Sequence, residues 1–189
     1  DGSSLNISSN LNFNGSSVIT VTVSESGGEY ETSESFDITV NPVNDAPVMV
    51  TISNVTTLEE TETTVMLNAS DIDGDMNFSF SAESSSDLFT INVSGATLTV
   101  NPLLDKVGTG SITVTANDGN LNSASISFNV TIDNVNDVPV LSSIENPDAV
   151  AEDGENIVVS LSATDVDGDA VSFTVEAENS ELFETTSVN

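Results

Sequence analysis

The sequence Ala124-Ser-Ile-Ser-Phe-Asn-Val-Thr-Ile132 decides the fold class, because apolar residues alternate in it with small polar ones. The same alternation occurs in Val18-Ile-Thr-Val-Thr-Val23, Ser35-Phe-Asp-Ile-Thr-Val40, Ala96-Thr-Leu-Thr-Val100 and Ser111-Ile-Thr-Val-Thr-Ala116. Successive side chains of a β-strand point to opposite faces, so a period of two predicts strands with one face in a core and the other in water. No segment shows sustained helical spacing. The chain is therefore predicted to be all-β.

Internal repeats indicate the domain organisation. The segment Val43-Asn-Asp-Ala-Pro-Val48 (the first linker) recurs 92 residues later as Val135-Asn-Asp-Val-Pro-Val140 (the second linker). The segment Ala69-Ser-Asp-Ile-Asp-Gly-Asp75 recurs 94 residues later as Ala163-Thr-Asp-Val-Asp-Gly-Asp169. Self-similarity at a fixed period is the signature of tandem domains. The chain is therefore expected to hold about two periods of one small domain.

We predict a complete repeat over residues 44–135, the second half of a repeat over 1–43 and the first half of another over 136–189. An isolated half would leave strands unpaired and half of a core exposed. The halves therefore predict either a segment of a longer tandem array or a subunit that completes a sandwich with the next copy, head to tail. Chain boundaries without structural meaning are the simpler alternative.

The composition excludes several classes of function. The 189 residues include 1 Lys+Arg against 31 Asp+Glu, a formal net charge of −30, and neither Cys nor His. One cation cannot replace the counterions of nucleic-acid phosphates or dock on anionic lipid, so we expect no nucleic-acid partner. No run approaches the roughly 18 apolar residues of a membrane span, so we expect no membrane insertion. The absence of Cys and His excludes thiolate, imidazole and zinc chemistry.

One enzyme class remains open on composition alone, a glycosidase with two paired carboxylates. The acidic residues cluster near the expected domain ends, and a small sandwich offers no evident pocket between them. We therefore predict that the chain is not an enzyme. The polar, acidic composition, with 37% hydrophobic residues in a regular pattern, indicates a folded extracellular protein.

Two loops concentrate carboxylates: Asp71-Ile-Asp-Gly-Asp75 (the first acidic loop) and Asp165-Val-Asp-Gly-Asp169 (the second acidic loop). Each places three carboxylates within five residues around a glycine that permits a sharp turn. Like charges so close repel unless a hard cation lies between them, and calcium binds six to eight oxygens at about 2.3–2.6 Å. Calcium is therefore the predicted cofactor. The alternative is that both loops are plain hairpin turns whose acidity only solvates the surface.

The order of four motifs resembles bacterial cadherin-like tandem repeats, the immunoglobulin-like sandwich repeats of large surface adhesins and extracellular matrix proteins. The two linkers are similar to the repeat boundary of that family. Val114-Thr-Ala-Asn-Asp-Gly119 is similar to the start of the last hairpin of a cadherin domain. Leu104-Asp105, shortly after Thr99-Val-Asn-Pro102, is similar to the Leu-Asp-Arg-Glu element. The resemblance covers essentially the whole chain.

The resemblance implies a string of seven-stranded Greek-key β-sandwiches, cadherin- or immunoglobulin-like, with calcium bound where one repeat meets the next. In the complete repeat, strands are expected to start near Val48, Val65, Phe78, Phe89, Thr97, Ile112 and Ser125.

The implied calcium ligands come from the acidic loops, from acidic residues elsewhere in the repeat and from the linkers. At the first boundary the candidates are Asn44, Asp45, Asp71, Asp73, Asp75 and Asp118. At the second boundary they are Glu59, Glu60, Asp105, Asp133, Asn136, Asp137, Glu152, Asp153, Asp165, Asp167 and Asp169. Two positions depart from the family pattern: Val107 stands where the family has a Glu ligand, and Asn41 stands where the second copy has Asp133.

These expectations favour a mechanical role. The chain is predicted to be an extracellular or cell-surface extender or filament segment, assembled head to tail with neighbouring copies of the same repeat and stiffened by calcium at its joints. The alternative is an adhesin module that binds a carbohydrate or a protein, with a cell-surface or matrix ligand. Such a site needs exposed aromatic residues in a groove, and the chain has eight Phe, one Tyr and no Trp.

Overall fold

The computed structural model describes residues 2–151 and 157–179. All regular secondary structure within these two ranges is β-strand. No helix in this part of the chain is long and apolar enough to cross a bilayer. The strands are β1 Gly15–Ser24, β2 Glu31–Val40, β3 Val48–Met49, β4 Val55–Leu58, β5 Thr63–Met66, β6 Ala69–Ser70, β7 Ser79–Ser84, β8 Phe89–Ser94, β9 Thr97–Pro102, β10 Gly108–Asn117, β11 Ile126–Asp133, β12 Val140–Leu141 and β13 Ala163–Thr164.

Strands β3 to β11 form a β-sandwich. One sheet has four strands in the order β4-β11-β10-β7, a second has three in the order β5-β9-β8, and β3 and β6 form a separate short pair. All of these pairings are antiparallel except the one between β4 and β11, which is parallel. The prediction of an all-β, immunoglobulin-like sandwich is confirmed.

The strand count differs from the seven that were expected. The sandwich contains nine strand segments, because Val55–Leu58 and Ala69–Ser70 form short strands of their own. β4 pairs with the end of β11, from Val55 beside Val130 to Leu58 beside Asp133. A run of four residues is too short to show a period of two, and its pairing with β11 supplies the backbone hydrogen bonds that keep it extended.

The core lies between the two main sheets and consists of alternate residues of their strands. Seven of these residues are fully buried: Leu98, Val100, Ile112, Val114, Ala116, Val130 and Ile132. Burial of a Val or Leu side chain contributes about 1.5–3 kcal/mol. The opposite face of β10 is polar, and there the hydroxyl groups of Thr113 and Ser127 lie 2.9 Å apart across the strand pair. The alternation seen in the sequence is thus the alternation between core and solvent.

Two further antiparallel pairs lie outside the sandwich. β1 pairs with β2 along all ten residues of each strand. β12 pairs with β13 through Val140 and Thr164, as β3 pairs with β6 through Val48 and Ser70. The division of the chain at residues 43/44 and 135/136 stays a prediction.

Gly110 of β10 lies against Ser86 and against Phe89 of β8. A Cβ at this position would come within 2.7 Å of Cε1 of Phe89 and closer still to Oγ of Ser86. Phe89 is only 4% exposed, so its ring has little room to move. We expect Gly110→Ala to lower the free energy of unfolding by about 1–3 kcal/mol, the usual effect of overpacking a core.

Chemical denaturation of Gly110→Ala and of the wild type measures this loss. Ser81→Ala, on the exposed face of β7, is the matched control and should change the free energy of unfolding by less than about 0.5 kcal/mol. Equal effects of the two substitutions would show that β10 and β8 do not pack as described.

Candidate metal centre at the second repeat boundary

Hydrogen bonds hold the second linker against the second acidic loop. The backbone N–H of Asp137 donates to Oδ2 of Asp167 over 2.6 Å. Within the loop, the N–H groups of Asp167 and Asp169 donate to Oδ1 of Asp165 over 3.0 and 3.3 Å. Gly168 has a φ of 79°, which an L side chain rarely adopts, so the glycine permits this turn. The carboxylates of linker and loop are thereby brought close together.

The first linker repeats this arrangement. The N–H of Asp45 donates to Oδ2 of Asp73 over 2.7 Å, and the N–H of Asp73 donates to Oδ1 of Asp71 over 2.7 Å. Gly74 has a φ of 88°, like its counterpart in the second loop. The repeat seen in the sequence is therefore also a repeat of backbone geometry.

Glu59 is the buried carboxylate of the second boundary. It follows β4, is only 2% exposed, and its Oε1 accepts a hydrogen bond of 2.8 Å from the N–H of Val135. Its own N–H donates to the carbonyl oxygen of Asp133 over 3.0 Å. Its Oε2 is buried and has no hydrogen-bond partner among the described residues. Burial of a polar oxygen without a partner is unfavourable, so a cation bound beside this atom would stabilise it.

Carboxylates from four parts of the chain converge around Asp137. In the described ranges, 2–151 and 157–179, ligand oxygens of Glu59, Asp137 and Asp167 lie within 4.8 Å of one another. Those of Glu60, Asp105 and Asp137 form a second such group, and Asp137 belongs to both. The donors are all carboxylate oxygens, which suits a hard cation such as calcium and not zinc or copper.

The environment of Asp137 raises its pKa. Desolvation on partial burial raises the pKa of Asp137 above its ordinary value, and the negative charges of Asp105, Asp167, Glu59 and Asp165 raise it further. A cation bound among these groups would remove most of the repulsion. The raised pKa of Asp137 thus reflects desolvation first and the repulsion of four neighbouring carboxylates second.

Backbone strain is also present at the cluster. Glu60 has a φ of 59° and Asp105 a φ of 55°, two of the three positive values among the described non-glycine residues. Such a conformation costs about 1–3 kcal/mol and persists only where the surrounding structure holds it. Both residues belong to the second group of carboxylates.

Asp118 lies near the first linker and is satisfied by the protein itself. It accepts hydrogen bonds from the N–H groups of Leu121 and Asn120, each over 2.7 Å, and from Nδ2 of Asn44 over 2.9 Å. The bond from Leu121, followed by those from Asn44 and Asn120, holds the pKa of Asp118 below its ordinary value. This carboxylate caps its own turn and does not depend on a cation.

The structure brings together part of the ligand set predicted at the second boundary. Five of the predicted residues form the two groups: Glu59, Glu60, Asp105, Asp137 and Asp167. Asp165 and Asp169 lie beside them in the acidic loop. Asn136 donates its side-chain N–H to the carbonyl oxygen of Asp137 over 2.9 Å. Asp133 contributes its carbonyl oxygen to Glu59 while its side chain is exposed. Glu152 and Asp153 lie outside the described residues.

At the first boundary the predicted residues lie near one another without forming such a group. Hydrogen bonds connect Asn44 with Asp118, and connect Asp45, Asp71 and Asp73 with one another. Oδ2 of Asp71 is buried and has no hydrogen-bond partner among the described residues. Asp75 is exposed and belongs to neither of the carboxylate groups found in the described part of the chain.

The sequence analysis missed a counterpart of Asp105 one repeat earlier. Leu11-Asn12 precedes Leu104-Asp105 by 93 residues, and Asn12 has a φ of 61° where Asp105 has 55°. The offset between the two Leu-Asx pairs could have identified Asn12 as the counterpart of Asp105. An amide thus replaces one of the carboxylates that cluster at the second boundary.

Comparison with known families identifies the sandwich. Residues 44–131 match the family described as bacterial Ig domain. This part of the chain is similar to bacterial Ig domains, and the sandwich is called the Ig domain below. The match confirms the resemblance to immunoglobulin-like bacterial repeats that the sequence motifs indicated. No curated protein is similar enough in sequence to count as a relative of the chain.

Solved structures with a similar fold include a protocadherin, a surface layer protein and a glycoside hydrolase. Protocadherin gammaB7 EC3-6 is 20% identical, covers 80% of this chain and 43% of its own, and has a TM-score of 0.48. Surface layer protein SbsC, domains 1-6, is 14% identical over 80% of this chain and 25% of its own, with a TM-score of 0.43. An endo-fucoidan hydrolase of glycoside hydrolase family 107 is 21% identical over 64% of this chain and 19% of its own, at 0.39. The chain thus spans less than half the length of each.

The raised pKa of Asp137 predicts a pH dependence for the metal-free protein. The folded state binds this proton more tightly than the unfolded state, so the stability contributed by Asp137 is present at low pH. It is lost as the pH rises through the raised pKa. Between about pH 4 and about pH 7, we expect the wild type to lose more thermal stability than Asp137→Asn does.

Melting temperatures measured in chelator across this pH range check the expectation. Asp87→Asn, which removes an exposed acid remote from the linker in sequence, is the control and should follow the wild type. Parallel pH profiles for the wild type and Asp137→Asn would show that the cluster at the end of the Ig domain does not repel Asp137.

The lowered pKa of Asp118 predicts an effect of the opposite sign. Its stabilising contribution is present above its ordinary value of 3.8 and is lost as the pH falls through the lower folded value. Asn44→Ala removes one of the hydrogen bonds that cause the shift, so the pKa of Asp118 should rise toward 3.8. Carboxyl-carbon NMR titration measures this pKa, and Asn77→Ala at an exposed site should leave it unchanged. An unchanged pKa in Asn44→Ala would contradict the assignment.

Proposed function

We propose that the chain is an extracellular structural segment in which calcium at the second boundary holds the Ig domain and the repeat that follows it in a fixed relative orientation. Glu59 carries this proposal: it is a buried carboxylate with one unpartnered oxygen that converges with Asp137 and Asp167. The bacterial Ig domain match supports an extracellular structural or adhesion-type module.

The ligands come from both sides of the boundary. Glu59 and Glu60 follow β4, and Asp105 lies between β9 and β10, so all three belong to the Ig domain. Asp137 lies in the second linker and Asp167 in the second acidic loop. When bound, calcium supplies a positive charge that oxygen ligands from both repeats contact at once. Orientation then follows from coordination, because neither repeat can rotate without losing a ligand.

Without the ion, the same residues have the reverse effect. Each group holds three carboxylates within 4.8 Å, in a chain whose net charge is −30. Their repulsion pushes the linker away from the end of the Ig domain. Calcium therefore converts a repulsive joint into an attractive one, and an array of such joints gains stiffness repeat by repeat.

A protein with this many carboxylates fits an environment in which calcium is abundant, outside the cell or at its surface, where the segment acts as a non-enzymatic extender between neighbouring repeats. The alternative role of a carbohydrate- or protein-binding adhesin module stays a prediction.

Calcium should stabilise the 189-residue chain, and Glu59→Gln should remove most of that stabilisation. At free calcium about 100-fold above Kd, a single site adds about 2.7 kcal/mol to the free energy of unfolding. Thermal unfolding in calcium, in magnesium and in chelator at fixed ionic strength measures the effect. Magnesium should stabilise less, because it prefers six near-octahedral ligands at about 2.0–2.1 Å and keeps its waters.

Glu83→Gln is the matched control, since Glu83 is an exposed glutamate in β7 and should keep the full calcium response. Orientation has its own readout: spin labels at Ser81→Cys and Thr164→Cys should give a narrower distance distribution in calcium than in chelator. Equal stabilisation by calcium and magnesium, or none by either, would contradict the proposal and favour plain turns.

A further inference from the structure

The acceptor motif of N-linked glycosylation, Asn-X-Ser/Thr, occurs seven times in the chain. The asparagines are Asn6, Asn14, Asn54, Asn68, Asn77, Asn92 and Asn129. A chain this rich in Asn, Ser and Thr contains several such motifs by chance, so the motif alone selects no site. Two further properties distinguish one of the seven: the place of its asparagine in the fold, and the residue two positions before it.

Three of the motifs are held by the main sheets. Asn92 begins a motif that lies entirely within β8, and every residue of it is paired with β9. Asn129 begins one that lies entirely within β11 and is paired with β10. The side-chain oxygen of Asn54 accepts the N–H of Asn129 over 2.9 Å. An enzyme would have to disrupt a sheet to reach these amide groups.

Two more motifs are held at the shorter strand pairs. The carbonyl oxygen of Asn68 accepts the N–H of Val50 over 2.9 Å. The motif at Asn14 ends at Ser16 in β1, where the hydroxyl groups of Ser16 and Thr39 lie 2.9 Å apart. Both motifs therefore include groups that already have partners within the protein.

The asparagines of the two remaining motifs, Asn6 and Asn77, are exposed and lie outside the strands. Asn77 lies between the first acidic loop and β7, and only the last residue of its motif, Ser79, is paired, with Asn117 of β10. Oγ of Ser79 is 3.4 Å from the carbonyl oxygen of Asn117, a long hydrogen bond. β7 is an edge strand of its sheet, so an enzyme can approach the motif from the open side.

The segment that carries Asn77 is one residue longer than its counterpart in the next repeat. Two residues separate Asp75 from Phe78, whereas one residue separates Asp169 from Val171. Phe78 packs against the core of the Ig domain. The extra residue therefore lies between an anchored aromatic ring and the acidic loop, where it projects Asn77 into solvent.

The same position is exposed at the second boundary. Asp169 and Ala170 follow the second acidic loop as Asp75 and Met76 follow the first, and both are exposed although the whole sandwich of β3 to β11 precedes them. A complete preceding domain therefore leaves this position open to solvent.

Asp75 is the second distinguishing feature, because it stands two residues before Asn77. The residues two positions before the other six asparagines are uncharged: Ser4, Asn12, Ile52, Met66, Thr90 and Ser127. Asp75 is exposed and belongs to neither of the carboxylate groups found in residues 2–151 and 157–179. Its carboxylate can therefore pair with a cationic side chain of an enzyme that binds the segment.

We propose that Asn77 is an acceptor for N-linked glycosylation by a bacterial oligosaccharyltransferase that recognises Asp75 as well as Ser79. Nδ2 of Asn77 attacks the anomeric carbon of an oligosaccharide carried on polyprenyl diphosphate. The bond from this carbon to Nδ2 forms as its bond to the diphosphate oxygen breaks, and the amide nitrogen loses one proton. The site adds a modification to the structural role proposed above and does not require calcium.

Transfer to the purified, folded 189-residue chain by a bacterial oligosaccharyltransferase with its lipid-linked glycan tests the proposal. Intact-mass spectrometry counts the glycans on each chain, and fragmentation of the peptide that contains Asn77 locates them. We expect transfer to Asn77 ahead of every other motif, and Asn77→Gln should remove it. A synthetic peptide of residues 73–81 is the positive control for the enzyme.

The role of the acid has its own variants. Asp75→Asn should lower the initial rate of transfer at least about tenfold, the loss expected for one charge-assisted hydrogen bond. Glu83→Gln removes the same charge from an exposed glutamate of β7 and should keep the wild-type rate. Ser4→Asp is the converse variant: it places an acid two residues before the exposed Asn6 and should create a second acceptor.

Four outcomes would overturn the proposal. Transfer to the peptide but not to Asn77 of the chain would show that the site is closed, and transfer to the denatured chain alone would show that the fold closes it. Equal rates for the wild type and Asp75→Asn would show that the acid is not recognised. Preferred transfer to Asn6 in the wild type would show that exposure alone selects the acceptor.

Discussion

The antiparallel pairing of β10 with β11 is the interaction on which the rest of the structure depends. Its register aligns Ile112 with Phe128, so their side chains share the core face while Thr113 and Ser127 face solvent. β7 and β4 then extend this pair into a four-stranded sheet, which packs on the sheet of β5, β9 and β8. A slip of one residue would turn the core face outward, so the register and the core specify each other.

The same pairing positions the acidic cluster. β11 ends at Asp133, whose carbonyl oxygen accepts the N–H of Glu59, and the chain then passes through Val135, whose N–H donates to the Glu59 carboxylate. The parallel contact of β4 with β11 holds Glu59 at this point, immediately after Leu58. The buried carboxylate is therefore fixed by the sheet and not by a flexible loop. This one ligand is therefore in place before a cation arrives, and this lowers the entropy that its binding must overcome.

The pattern of the sequence predicted the strands that have a clear period of two, such as those beginning near Ile112 and Ser125, and it placed both acidic loops. It did not predict β4, because Val-Thr-Thr-Leu becomes a strand only through its contact with β11. It identified Glu59 as a candidate but could not show its burial, since glutamate is almost always exposed and nothing nearby in the sequence marks the contact with Val135. The spacing of the acidic loop also could not show which of its carboxylates contacts the linker. The N–H of Asp45 donates to the carboxylate of Asp73 and not to that of Asp75.

The two boundaries are built on one backbone plan but carry different charge. In sequence, Asn12 and Asn41 correspond to Asp105 and Asp133 one repeat later. Hydrogen bonds from its own turn and from Asn44 stabilise the ionised form of Asp118, near the first linker, and lower its pKa, whereas desolvation and neighbouring carboxylates raise the pKa of Asp137. A joint with fewer free negative charges repels less without calcium and gains less with it. If calcium sets stiffness through these charges, the second joint responds more strongly than the first, and a repeat protein can place flexible and rigid joints along one chain by exchanging Asp for Asn.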